Sequence, residues 1–187
     1  MTFSENNKAF PEWNNIKVIV FDFDGIFTDN KLYLSEKGDE YIMCNRGDGL
    51  GFDILRKFAL IKNWNPELLI LSKEKNNAAL ARSKKLKIEC INNISDKVDF
   101  LEKRFNHLLS PDKKIIRNMV YCGNDLNDLN PILKSQYSFS PCDAHEIIKN
   151  NSDYILPRKG GEQFVRMFIE KIIGLEKMSL NEIKKII

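Results

Sequence analysis

Two carboxylates set two residues apart, Asp22 and Asp24, end an apolar run of β-branched and aromatic residues that begins at Val18, and Gly25 follows them. Residues two apart on a strand share a face, so both acids would leave a sheet on the same side. Like charges that close are costly to bury unless a shared proton or a cation relieves them, and oxygen ligands favour a hard divalent ion. Taken alone, the pair would read as a strand ending in a solvated acidic turn. A second cluster argues against that: Asn124, Asp125 and Asp128 follow another apolar run, Met119 to Cys122. Ser72 ends a third such run, and Lys97 stands at the start of an amphipathic stretch. A hydroxyl, a cation and acidic metal ligands at one sheet edge suit a phosphoryl group, whose oxygens need neutralising while a carboxylate attacks. Helix N-termini behind the same loops would add amide donors for the anion.

The elements that must position these residues follow from hydrophobic spacing. Residues 1–15 read as a polar lead-in and Ile16 to Phe23 as the first strand. Lys31 to Leu34 and Tyr41 to Cys44 flank a run of turn formers, so 31–44 is expected to project as a β-hairpin, where another enzyme would carry a large lid. Asn45 to Gly51 reads as a loop feeding a helix with apolar positions Leu50, Ile54, Leu55 and Phe58. Strand Leu68 to Leu71, helix Asn77 to Leu86 and strand Ile88 to Ile91 come next. Ser95 is placed to cap a helix over Asp96 to Leu109, with an apolar stripe of Val98, Leu101, Phe105 and Leu108. Beyond Met119 to Cys122, Tyr137 to Phe139 is a weak strand, Asp143 with Glu146 has capping-box spacing, and Tyr154 to Leu156 is the last strand. Gly160 and Gly161 precede a long amphipathic helix, Gln163 to Leu175. Alternating strands and helices predict a doubly wound, mostly parallel α/β sheet in one domain, 1–187, with ligands at the carboxyl ends of the strands.

Composition narrows the alternatives. A length of 187 residues fits one domain on a prior of roughly 100 to 200 residues each. Net charge is +3, with both signs mixed along the chain, so neither a nucleic-acid arm nor a polybasic membrane patch stands out. No run approaches the roughly 18 apolar residues of a membrane span, and Met1 to Trp13 is too polar for a signal peptide, so a cytoplasmic location is expected. Without such a signal, Arg46-Gly47-Asp48 is not read as a cell-adhesion site. Cys44, Cys90, Cys122 and Cys142 form no C-x-x-C pair, which argues against zinc and suits reduced thiols. His107 and His145 lack partners at metal-like spacing and read as surface or capping residues, and Trp13 and Trp64 as packing anchors.

Phe21-Asp22-Phe23-Asp24-Gly25-Ile26-Phe27-Thr28-Asp29 resembles the first motif of the haloacid dehalogenase (HAD) superfamily, and Ser72, Lys97 and Gly123 to Asp128 resemble its second, third and fourth motifs. The likeness covers nearly the whole chain. The hairpin in place of a cap, the Asn45 to Gly51 stretch and the Gly160-Gly161 pair are similar to the capless group. That group holds 3-deoxy-D-manno-octulosonate 8-phosphate phosphatase and the phosphatase-like domain of CMP-acylneuraminate synthetases. The resemblance implies a Rossmann-like fold, Mg²⁺ as cofactor, and a homotetramer in which hairpins gather on a central axis and a neighbouring subunit helps close the site. It implies Asp22 as nucleophile and Asp24 as general acid and base, with Ser72 and Lys97 binding phosphate. Lys84, Lys85 and Lys87 are rivals to Lys97 but read as a solvated helix face. Thr28, Arg46, Asp48, Gly49 and Lys73 would face the substrate, and Asp22, Asp24, Asn124 and Asp125 would hold the metal.

Three departures bear on function. Asn124 stands where the fourth motif usually has a metal-binding Asp, so Asp125 or Asp128 would have to compensate for the lost charge. Lys73-Glu74 replaces Gly-Arg after Ser72. Glu162 stands where an Arg often follows the glycine pair, leaving Lys159 or Arg166 as substitutes. Together these favour an acylneuraminate-type acidic sugar phosphate over the octulosonate phosphate as substrate. Asn124 also motivates a different reading, a catalytically silent oligomerisation or regulatory module.

Overall fold

A computed structural model describes residues 8–75 and 77–187. In chain order its elements are β1 (Val18–Phe21), β2 (Tyr33–Leu34), β3 (Glu40–Tyr41), α1 (Arg46–Lys62), β4 (Glu67–Leu71), α2 (Asn77–Leu86), β5 (Glu89–Ile91) and α3 (Lys97–Arg104). They continue as β6 (Ile116–Cys122), α4 (Leu129–Lys134), β7 (Ser135–Pro141), α5 (Glu146–Asn151), β8 (Tyr154–Leu156), α6 (Phe164–Ile172) and α7 (Leu180–Ile186). Six strands form a parallel sheet in the order β5-β4-β1-β6-β7-β8. The chain winds outward from β1 in both directions, so the direction of winding reverses between β1 and β6. Ligands of doubly wound sheets bind in the crevice at that reversal. Phe21 pairs with Ile70 on one side and Cys122 on the other. The residues that follow these three therefore leave the sheet together at its carboxyl edge.

All four residues of β1 are buried, as a central strand requires. Its side chains alternate between two apolar layers. Ile19 and Phe21 join Phe27, Phe52, Phe139 and Phe168 under α1, α2 and α6, while Val18 and Val20 join Leu69, Leu71, Leu101 and Tyr121 under α3 to α5. Trp13 and Trp64 pack edge-to-face at 5.6 Å, and the Trp64 indole donates to the Ile16 carbonyl at 2.8 Å. The end of the lead-in is thus tied to the core, since Phe10 meets Tyr154 at 5.1 Å; residues 1–7 lie outside the described residues.

Several boundaries differ from the sequence reading. Asn45 to Gly51 is not a loop: the Asn45 side chain accepts from Gly47 N at 2.8 Å and α1 starts at Arg46. A good cap there outweighs the low helix propensity of three glycines. Leu50 is exposed, and Phe52 takes its expected place in the core. Asp96 rather than Ser95 caps α3, accepting from Asp99 N at 2.9 Å, and α3 stops at Arg104. His145 Nδ1 caps α5, because Asp143 is engaged by Gly160 N at 3.0 Å. The weak strand is the full-length β7, and α4 and α7 were not expected at all. The helix expected over Gln163 to Leu175 is α6 followed by a separate 3-10 turn.

Candidate active site

β1 delivers Asp22 directly to the carboxyl edge, where its backbone N–H bonds the Cys122 carbonyl at 2.9 Å. The side chain is 5% exposed and faces Lys97, the first residue of α3, whose Nζ lies 2.8 Å from Asp22 Oδ1. The same ammonium lies 2.8 Å from Asp128 Oδ1 and 3.2 Å from the Tyr121 hydroxyl. Lys84, Lys85 and Lys87 are exposed on and just after α2. Burial raises the pKa of Asp22 to about 7, Asp128 adds to the rise, and Lys97 opposes it. Burial alone would lower Lys97, but the two carboxylates outweigh it and hold the ammonium charged.

Asp128 is wholly occupied. Tyr121 OH donates to its Oδ1 at 2.7 Å, and Asn124 N and Asp125 N donate to its Oδ2 at 2.9 and 3.4 Å. Its role is to shape the turn after β6 and to hold Lys97. Asp125 Oδ1 caps the following 3-10 turn through Leu126 N at 2.7 Å. Asn124 differs from both: its Oδ1 is buried and has no hydrogen-bond partner among the described residues. Its side chain presses against Gly25, whose φ is +79° and where a Cβ would stand 1.9 Å from Asn124 Nδ2. Only glycine lets the turn after β1 close on the turn after β6. Gly160 closes the same turn from above, since a Cβ there would lie 2.0 Å from the Gly25 carbonyl.

A cavity of about 340 Å³ opens over this edge, lined by Asp22, Asp24, Ser72, Lys73, Asn124 and Asp125 together with Asn30 and Glu74. Ser72 is pinned by main-chain bonds to Ile91 O and Ile94 N. Asp24 is half-buried; burial and then Glu74 raise its proton affinity, against Lys97 and a Thr28 hydrogen bond. Thr28 itself does not reach the cavity, being fully buried, and its Oγ1 accepts from Gly25 N and Asn30 N at 3.2 Å each. It builds the turn that carries Asp24. Arg46, Asp48 and Gly49 do not line the cavity either, because they form the first turn of α1. Arg46 is exposed, whereas Asp48 is buried against α6, accepting from Arg166 N at 3.0 Å. Sequence reasoning missed Asn30, Glu74 and Tyr121. For Tyr121 a signal existed: a phenol hydroxyl inside an apolar strand must find a polar partner.

The residues present fit a hard divalent cation. A buried carboxylate whose proton affinity is raised and an amide oxygen with no partner sit on adjacent turns over one cavity. Among the described residues no group of three or more His, Cys, Asp or Glu side chains is set to hold a metal.

A Rossmann-ordered parallel sheet, paired acids after its central strand and a buried lysine facing the first of them define the HAD type of α/β fold. No family model matches the chain. Among solved structures, a putative HAD family hydrolase from Streptomyces avermitilis superposes with a TM-score of 0.77 at 30% identity, covering 90% of this chain and 97% of that one. The chain belongs to the HAD family of hydrolases. The 3-deoxy-D-manno-octulosonate 8-phosphate phosphatase of Moraxella catarrhalis, in complex with magnesium, phosphate and KDO, gives a TM-score of 0.74 at 26% identity over 87% of this chain and 88% of its own. The Salmonella typhi enzyme of that name is 28% identical over 91% of this chain and 85% of its own. N-acylneuraminate cytidylyltransferase A of Danio rerio is 23% identical over 91% of this chain, which spans only 38% of that enzyme's length.

Proposed function

We propose that this chain is a Mg²⁺-dependent phosphomonoesterase acting on an acidic sugar phosphate, of the acylneuraminate 9-phosphate or octulosonate 8-phosphate kind, in the synthesis of surface-polysaccharide precursors. The observation that carries the reading is the buried Lys97 at 2.8 Å from Asp22, which itself lines a cavity bordered also by Asn124, whose buried side-chain oxygen has no partner among the described residues. Asp22 Oδ attacks phosphorus as the bond to the sugar oxygen breaks, and Asp24 gives that oxygen its proton. Asp24 then takes a proton from water as the water oxygen attacks phosphorus, which frees Asp22 and releases inorganic phosphate. Ser72 holds phosphate oxygens, Lys97 neutralises charge from behind Asp22 with its three N–H groups engaged by Asp22, Asp128 and Tyr121, and Lys73 stands at the rim. The cation would be held by Asp22, Asn124, Asp125 and the main-chain carbonyl of Asp24. When bound, it supplies charge neutralisation at the phosphoryl oxygens.

The names of the relatives at 26% and 28% identity support the substrate class, and the magnesium in the Moraxella catarrhalis complex supports the cofactor. We place the protein in the cytoplasm as a homotetramer; no helix among the described residues is long and apolar enough to cross a membrane. Asn124 favours a second reading, a silent oligomerisation module like the domain of a cytidylyltransferase. Phosphate release from a panel of acidic and neutral sugar phosphates separates the two. Hydrolysis abolished by EDTA, restored by Mg²⁺ and lost in Asp22→Asn is expected. Uncatalysed monoester hydrolysis is so slow, with enzymatic accelerations up to about 10²¹-fold, that feeble turnover still registers. A stable tetramer that releases no phosphate from any of them would establish the silent module.

A further inference from the structure

Tyr121 lies one residue before the carboxyl end of β6 with no exposed surface, in the layer that holds Val20, Leu71 and Leu101. Its hydroxyl donates to Asp128 Oδ1 at 2.7 Å and accepts from Lys97 Nζ at 3.2 Å. An ammonium has three N–H donors and no acceptor. Those of Lys97 go to Asp22, Asp128 and Tyr121, so each is spent inside the protein. Asp128 in turn accepts from Lys97, Tyr121 and two main-chain amides. Burial, with the charges of Asp128 and Asp22, holds the phenol well above its ordinary pKa, so it stays a donor.

We propose that Tyr121 is a positioning residue for phosphoryl transfer, acting through Asp128 to fix the Lys97 ammonium beside Asp22. The proposal rests on the reading of Asp22 as nucleophile. Tyr121 does not line the cavity and touches no reacting atom. Without its hydroxyl, one Lys97 N–H faces apolar side chains and Asp128 loses a donor. The ammonium is then free to tilt within the triangle, and the charge of the attacking carboxylate is no longer set by one geometry.

Tyr121→Phe keeps the ring and its packing. For an aryl phosphate with Mg²⁺ present, kcat should fall about 10- to 100-fold, as when groups that orient a reacting shell are removed, with KM held within about twofold. Tyr121→Phe should cost less in an Asp128→Asn background than in wild type, because the phenol acts partly through that carboxylate and partly by its own contact with Lys97. Losses that multiply, or an unchanged kcat, would overturn the proposal. A second measurement does not need turnover. In ¹⁵N-labelled protein the Lys97 ammonium should exchange slowly with water, and about tenfold faster or more in Tyr121→Phe, the weight of one charge-assisted hydrogen bond. Equal exchange in both proteins overturns the positioning role even if no phosphate is released, whereas fast exchange with no hydrolysis in wild type strikes only the phosphatase reading.

Discussion

At the scale of single residues, the site turns on the amide of Asn124. A carboxylate there would face the same cavity with a full charge, and Asn124→Asp changes little else in shape. At 4 Å and an effective dielectric constant near 20 an added unit charge is worth about 4 kcal/mol towards a cation, so Mg²⁺ should bind at least about tenfold tighter. Without metal the same change adds a carboxylate beside Asp22 and Asp128, which share one ammonium. The metal-free variant should therefore melt below wild type and gain more on adding Mg²⁺. Thermal melting against Mg²⁺ concentration checks both halves; equal affinities would show that Asn124 is not a ligand. Asp22, Asp24, Ser72 and Lys97 were legible because each closes an apolar run or opens a helix, and the parallel register gathers such ends. Thr28 and Asp48 were not, since motif position says nothing about which way a side chain turns, and both turn inward.

At the scale of elements, the junction of α1 and α6 carries a titratable latch. Asp48 Oδ1 accepts from Arg166 N, while Oδ2 is buried without a partner among the described residues. Burial raises its pKa from 3.8 to about 6, against the Arg166 amide and the charges of Arg82 and Arg166, the latter paired with Glu170 at 2.5 Å. A raised carboxyl pKa means that the folded state binds the proton more tightly than the unfolded state. Stability from this group is full below about pH 4 and is lost as pH rises through about 6. Asp48→Asn keeps the acceptor and removes the titration, so its stability relative to wild type should climb between those pH values, by at most about 3 kcal/mol. Urea unfolding at pH 4, 5, 6 and 7 measures the trend, and a flat difference would refute it. This junction also explains what sequence spacing concealed. The glycines around Asp48 look like a loop, yet a Cβ on Gly51 would meet Arg166 and Ile169 within 3.3 Å, so small residues serve close helix packing. α4 and α7 escaped for another reason: at six and seven residues they are too short to show a period.

At the scale of the whole molecule, the hairpin is the part that the monomer leaves unfinished. β2 and β3 are two residues each, paired Tyr33 with Tyr41 and Leu34 with Glu40, and they join no other strand among the described residues. So short a hairpin is marginal alone in water. Yet Leu32, Tyr33, Leu34, Tyr41 and Met43 are all more than half exposed, with Tyr33 at 68%. Apolar surface concentrated on one projection gains free energy by being covered, at about 25 cal/mol per Å². In the proposed tetramer copies of the hairpin cover one another, which also brings a neighbour towards the cavity bordered by Asn30, Lys31, Leu32 and Glu40 at the hairpin's base. Tyr33→Glu with Leu34→Glu would place four charges of one sign per pair of facing hairpins and should yield monomers in sedimentation, while the melting temperature of wild type rises with protein concentration and that of the variant does not. Unchanged sedimentation of the variant would remove the hairpin from the interface. If the neighbour helps to close the site, the monomeric variant keeps hydrolysing a small aryl phosphate but loses kcat/KM on sugar phosphates, whose larger leaving group gives a neighbour more to contact; equal losses on both would confine the assembly's role to stability.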